Sequence, residues 1–70
     1  MTQIKQFIVN GEVYYIKQSI TIIDLLIYFN YNNALLVLEH NKSICNRMNW
    51  NKTFIQNQDQ IEIVTIVGGG

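Results

Sequence analysis

Few residues in this chain could do chemistry, and they lie far apart in the sequence. Cys45 is the only cysteine and His40 the only histidine. Five carboxylates are scattered at Glu12, Asp24, Glu39, Asp59 and Glu62, and three consecutive glycines, Gly68-Gly69-Gly70, follow an apolar run. A cysteine nucleophile needs a base, and Cys45 and His40 fall on successive predicted strands, so a Cys-His pair is conceivable. A free cysteine in an apolar strand is more usually a small core residue, and His40 reads as a strand-end residue with one satisfied nitrogen. Asp24 suits a helix cap and Asp59 a turn, and no two carboxylates pair as general acid and base. The chain has no phosphate-binding loop of the Walker or dinucleotide type. One Cys and one His cannot make a four-ligand zinc site, and no metal site is expected.

The glycines remain. A frayed end is common at chain termini. Glycine is also a poor residue for a docked terminal strand, because it loses the most entropy on ordering. A tail of Gly68, Gly69 and Gly70 has no side chains, so it could enter a narrow active site where a Cβ would clash. It would reach roughly 10 Å beyond a sheet at about 3.3–3.6 Å per residue. Its one reactive group would be the Gly70 carboxylate. A carboxylate is inert to acyl transfer until its oxygen becomes a good leaving group. Adenylation by a separate ATP-using partner is the expected route.

Bulk properties fit that economy. Seventy residues make one domain, which buries only about 60% of the surface its unfolded chain exposes. With one cysteine there is no intrachain disulfide, so the apolar residues, 49% of the total, must supply the core. Net charge is zero, which argues against nucleic-acid binding, since that needs clustered Lys and Arg. MTQIKQFIVN lacks the layout of a signal peptide. No run reaches the roughly 18 apolar residues of a membrane span, and Asp24 interrupts the longest candidate. A soluble protein in a reducing compartment is expected. Nine Asn and twelve Ile against one Arg and no Pro reflect A/T-rich codons and weakly suggest a compact genome, such as a plastid's.

The elements that would position the tail can be read from pattern. Residues 3–9 and 12–17 read as strands joined at Asn10-Gly11, a two-residue hairpin signal. That loop pairs Val9 with Glu12 and Phe7 with Tyr14, and alternation puts Phe7, Val9, Tyr14 and Ile16 on the core face. Thr21 and Asp24 form a capping box, with Ile20 and Leu25 as a hydrophobic staple. Ile22, Leu25, Leu26 and Phe29 make one face of a helix over 22–29. Ile23 and Ile27 lie off that stripe, and core contact is favoured over an exposed patch. The helix should stop in Asn30-Tyr31-Asn32-Asn33. Residues 34–40, 43–46 and 60–67 read as three further strands, with turns at Asn41-Lys42 and Gln58-Asp59. Arg47 to Phe54 is irregular, with room for one helical turn.

This order predicts an α+β fold with one helix across a mixed sheet of four to five strands. Pattern alone leaves the β-grasp arrangement as one of several such plans. The expected core is Phe7, Val9, Ile22, Leu25, Leu26, Leu36, Leu38, Ile61 and Ile63. In the last strand Glu62, Val64 and Ile66 share the opposite face. Val64 and Ile66 would then be apolar docking residues beside the tail, unless aromatics such as Tyr15 cover them.

The stretch from Leu38 to Arg47 (LEHNKSICNR), then Trp50, then Asp59-Gln60-Ile61-Glu62-Ile63, then Ile66-Val67-Gly68-Gly69-Gly70, resembles the ThiS family of thiamine-biosynthesis sulfur carriers. Those proteins typically read V-E-x-N-x-x-I-V-P-R, G-D-x-I-E-I and a terminal I-G-G-G. The resemblance also takes in Asn10-Gly11 and the Thr21 to Leu26 stretch, so it spans nearly the whole chain. Asn46 stands where the family usually has Pro, and Gln58 where it has Gly; both touch turn geometry, not the tail. The resemblance implies a ubiquitin-like β-grasp domain over 1–67 and a flexible tail at 68–70. It implies adenylation of Gly70 by an E1-like, ThiF-type enzyme using ATP and Mg²⁺, with the carrier a co-substrate and not an enzyme, having no catalytic residues and binding no cofactor itself. A persulfide donor would then supply sulfur, leaving a Gly70 thiocarboxylate for a ThiG-type thiazole synthase, in the bacterial cytoplasm or plastid stroma. Two alternatives share the tail chemistry: the small subunit of molybdopterin synthase and the carriers of tRNA thiolation. A third, of another class, is a ubiquitin-like interaction module without tail chemistry.

Overall fold

Asn10-Gly11 does what its residue types dictate. Both take positive φ, at 49° and 84°, as a type I′ turn requires. They join β1 (Lys5–Val9) to β2 (Glu12–Ile16) with Val9 opposite Glu12 and Phe7 opposite Tyr14, as the two-residue loop predicts. The computed structural model describes residues 3–31 and 35–66. The expectations for Asn32 to Ala34 and for Val67 to Gly70, the glycine tail among them, lie outside the described residues.

The helix α1 (Ile22–Tyr28) starts on a complete capping box. The Asp24 N–H donates to Thr21 Oγ1 at 3.3 Å, and the Thr21 N–H donates to Asp24 Oδ2 at 3.0 Å. The N–H groups of Ile22 and Ile23, orphans at any helix start, donate to the carbonyls of Thr53 and Trp50 at 2.9 and 3.1 Å. The irregular segment is therefore docked on the helix N-terminus. At the other end, Tyr31 N–H bonds Leu26 C=O and Asn30 N–H bonds Ile27 C=O, with Asn30 at φ 66°. This Schellman arrangement ends the helix where the polar loop was expected.

Three more strands follow: β3 (Leu36–His40), β4 (Ser43–Ile44) and β5 (Gln60–Thr65). They are shorter than the pattern suggested, and Cys45 falls just past β4. A 3₁₀ turn at Arg47–Asn49 supplies the helical turn expected in the irregular stretch. The sheet order is β2-β1-β5-β3-β4. β5 runs parallel to β1 and antiparallel to β3. The last strand thus occupies the middle of a mixed five-stranded sheet, whose inner face shares a buried cluster with the helix.

Eight of the nine expected core residues are buried. Leu36 is only half-buried and packs on the margin of the core, because it lies at the end of the β3–β5 ladder, opposite Thr65. Ile23 packs against the core while Ile27 stays exposed, so the off-stripe pair divides. Trp50 and Ile55 are core residues that the pattern did not reveal. Trp50 Nε1 donates to the Cys45 carbonyl at 2.8 Å, and the Arg47 guanidinium lies 5.2 Å from the centroid of its ring.

The two departures from the family pattern fit the backbone. Gln58 sits at φ 69°, where a side chain costs about 1–2 kcal/mol and glycine is at ease. Asn46 sits at φ −68°, ψ 148°, close to the φ that proline fixes. Each position keeps the conformation that the family residue would favour.

Candidate functional site

β5 carries the chain toward Gly68-Gly69-Gly70, and its alternation sorts the residues before the tail. Ile61 and Ile63 are buried, while Glu62, Val64 and Ile66 are exposed. The antiparallel register with β3 sets Val64 opposite Val37 and Glu62 opposite Glu39. The Ile66 N–H donates to the Leu35 carbonyl at 2.8 Å and continues the ladder. Leu35, Val37, Val64 and Ile66 are 64%, 38%, 61% and 52% exposed. They form two apolar rungs on the open face, next to where the tail begins. Tyr15 does not cover them: it is itself exposed, on β2, two strands away from β5.

His40 and Cys45 are not brought together. His40 Nε2 lies 2.7 Å from Asp59 Oδ2, whereas Cys45 Sγ lies 3.8 Å from Thr53 Oγ1. The imidazole that a cysteine nucleophile would need is committed elsewhere. Among the described residues no group of three metal-ligating side chains exists. No helix of the described residues is long and apolar enough to cross a membrane.

Asp59 is more than the turn residue its neighbours suggested. It is buried, and it ties the β3–β4 turn to the start of β5. Its carboxylate accepts from the Gln56 N–H at 2.7 Å and from Asn41 Nδ2 at 3.0 Å, besides its contact with His40. Asn41 closes the cluster by accepting from the Gln60 N–H at 2.8 Å. Burial alone would raise the Asp59 pKa, but the bonds from Gln56, His40 and Asn41 together outweigh it and hold the carboxyl below its usual value. A depressed folded-state pKa gives stability that is present above the unfolded value and is lost as pH falls through the folded one. Asp59→Asn should therefore melt below the parent at neutral pH, with the gap closing as pH drops below about 4. Melting temperatures across that range would check this; a gap independent of pH would contradict it.

The comparisons with known proteins agree with this geometry. The ThiS family model matches residues 7–70. "Uncharacterized protein ycf40" of Trieres chinensis is 58% identical over 94% of this chain and 90% of its own length. "Sulfur carrier protein ThiS" of Bacillus subtilis is 37% identical over 87% of this chain and 94% of its own length. The crystal structure of thiamine biosynthesis protein ThiS from Geobacter metallireducens superposes with a TM-score of 0.77, covering 93% of this chain and 99% of that one. At 24% identity that likeness establishes the ubiquitin-like β-grasp fold alone. The family match extends through the three glycines and covers most of the chain, and on that ground this protein belongs to the ThiS family of ubiquitin-like sulfur carriers.

Proposed function

We propose that this protein carries sulfur for the thiazole ring of thiamine, as a thiocarboxylate on Gly70. The observation that carries the reading is the family match over residues 7–70, supported by the 37% identity to the Bacillus subtilis carrier. An E1-like, ThiF-type partner, which binds the ATP and Mg²⁺, holds the Gly70 carboxylate against the α-phosphorus. A carboxylate oxygen attacks, pyrophosphate leaves, and the acyl carbon gains AMP as a leaving group. The terminal sulfur of a cysteine-derived persulfide displaces AMP to give an acyl disulfide. A second thiol of the sulfur-donating machinery attacks the cysteine sulfur and becomes a disulfide. The Gly70 thiocarboxylate released donates sulfur to a ThiG-type thiazole synthase. The carrier supplies no catalytic side chain; Gly68 and Gly69 give the tail its slenderness. A reducing compartment, the bacterial cytoplasm or the plastid stroma, suits a thiocarboxylate and a free Cys45.

The thiamine assignment is tested by offering the thiocarboxylated protein to a ThiG-type thiazole synthase and to a molybdopterin synthase large subunit. Co-purification with the first alone is expected. Co-purification with the second alone, or sulfur delivery only to tRNA thiolation, would move the protein to a sister pathway.

The apolar rungs give the partner a surface to grip. A contiguous exposed apolar patch marks an interaction site more often than an isolated residue does. Val64→Ala/Ile66→Ala should keep the parent's melting temperature, because both side chains are exposed. Interface anchors commonly cost about 2 kcal/mol or more on truncation, so binding to the adenylating enzyme should weaken roughly thirtyfold. Calorimetry that finds equal affinity for parent and double variant would leave recognition to the tail.

A further inference from the structure

Directly below the two apolar rungs, the same two strands carry an acidic one. Glu39 and Glu62 are register partners across β3 and β5. The alternation that buries Leu38, Ile61 and Ile63 puts both on the open face, Glu62 exposed and Glu39 half-buried. Directly opposed side chains lie about 4.5–5.5 Å apart at Cβ, and like charges so placed destabilise a sheet. Among the described residues no basic side chain pairs with either. All five basic side chains are among the described residues, yet the ion pair found there is His40–Asp59, on other groups. Glu39's other neighbour across the sheet is Ile44, which is apolar.

The face therefore reads, moving away from the tail, apolar rung, apolar rung, acidic rung. Successive rungs on one face are two residues apart, about 7 Å. Apolar surface alone would accept any greasy partner. Two unpaired carboxylates at a fixed step from it ask for a cation, and a guanidinium suits best because its planar fork can bond both.

We infer that the protein that docks on this sheet face presents an apolar surface with a basic side chain, arginine by preference, which enters between Glu39 and Glu62. This rests on the docking assigned above to the adenylating partner and adds its charge and register. The acidic rung costs the free carrier some stability and is satisfied in the complex, so it selects for partners with that cation and speeds their encounter.

The experiment uses the full chain and the ThiF-type enzyme that serves the Bacillus subtilis carrier. Binding is measured by calorimetry at about 50 and 200 mM KCl, between which screening of exposed charges deepens markedly. The parent should bind less tightly at the higher salt. Glu39→Gln/Glu62→Gln should bind about tenfold more weakly at low salt, lose most of that salt dependence, and melt no lower than the parent. Glu12→Gln, an exposed charge on β2, should change neither quantity. Equal affinity and equal salt dependence for the double variant would overturn the inference while leaving the carrier function standing. A lower melting temperature would overturn it too, by showing that the pair is structural. So would a rise in the parent's melting temperature with MgCl₂ over KCl of equal ionic strength that the variant lacks, because the pair would then hold a metal ion. Failure of the parent itself to bind would overturn the docking reading and this inference together.

Discussion

A chain lacking Gly70 is expected to fold as the parent does and to acquire no sulfur. Among the described residues the buried core runs from Phe7 to Ile63, and the melting temperature is expected not to move. The carboxylate would then sit on Gly69, short of its place by the 3.3–3.6 Å or so that one extended residue spans. Displacement of a reacting group by about 1 Å can already cost on the order of a hundredfold in rate. Adenylation should fall by at least that factor, read as ATP–pyrophosphate exchange with the activating enzyme. Exchange at the parent's rate would show that the enzyme does not measure the tail's length.

The largest effect on stability is expected at Leu26. It is fully buried, under the middle of a seven-residue helix. Removing a leucine side chain from such a site costs about 2–5 kcal/mol through lost burial and the cavity left behind. Small domains have total stabilities near the low end of 5–15 kcal/mol. Leu26→Ala should lower the melting temperature by roughly 10 °C or more, since about 1 kcal/mol moves a domain of this size by 4–8 °C. Ile27, the next residue on the same helix, is 53% exposed, and Ile27→Ala should stay within about 0.5 kcal/mol of the parent. Equal effects at the two positions would mean that the helix presents a different face to the sheet.

The features legible in the sequence were those set by near neighbours. Asn10-Gly11 dictates its own turn and, through it, the register of β1 and β2. Thr21 and Asp24 are three residues apart and satisfy each other. Alternation along β5 sorts Ile61 and Ile63 from Val64 and Ile66 without knowledge of any other strand. What stayed hidden depends on distant partners. Trp50 and Ile55 lie in a stretch with no periodicity, and they are buried because carbonyls from that stretch satisfy the helix N-terminus. Asp59 looks like a turn residue until Asn41 and His40, eighteen and nineteen positions away, converge on it. Leu36 has the composition of a core residue, but the end of a ladder offers it cover on one side only. The like-charged pair at Glu39 and Glu62 was equally hidden, because it exists only once β3 and β5 are aligned. The glycine tail needed no fold to be noticed: its message lies in the absence of side chains.

The central claim is that sulfur is carried on the terminal glycine. Its most direct test is the intact mass of the protein, made together with its activating enzyme and a persulfide donor, followed by fragmentation to place any change. The expected result is a species heavier than the parent by the difference between one sulfur and one oxygen, with the increment confined to Gly70 and absent when ATP is withheld. An unchanged mass under those conditions, or the gain of one whole sulfur located on Cys45 as a persulfide, would contradict the account.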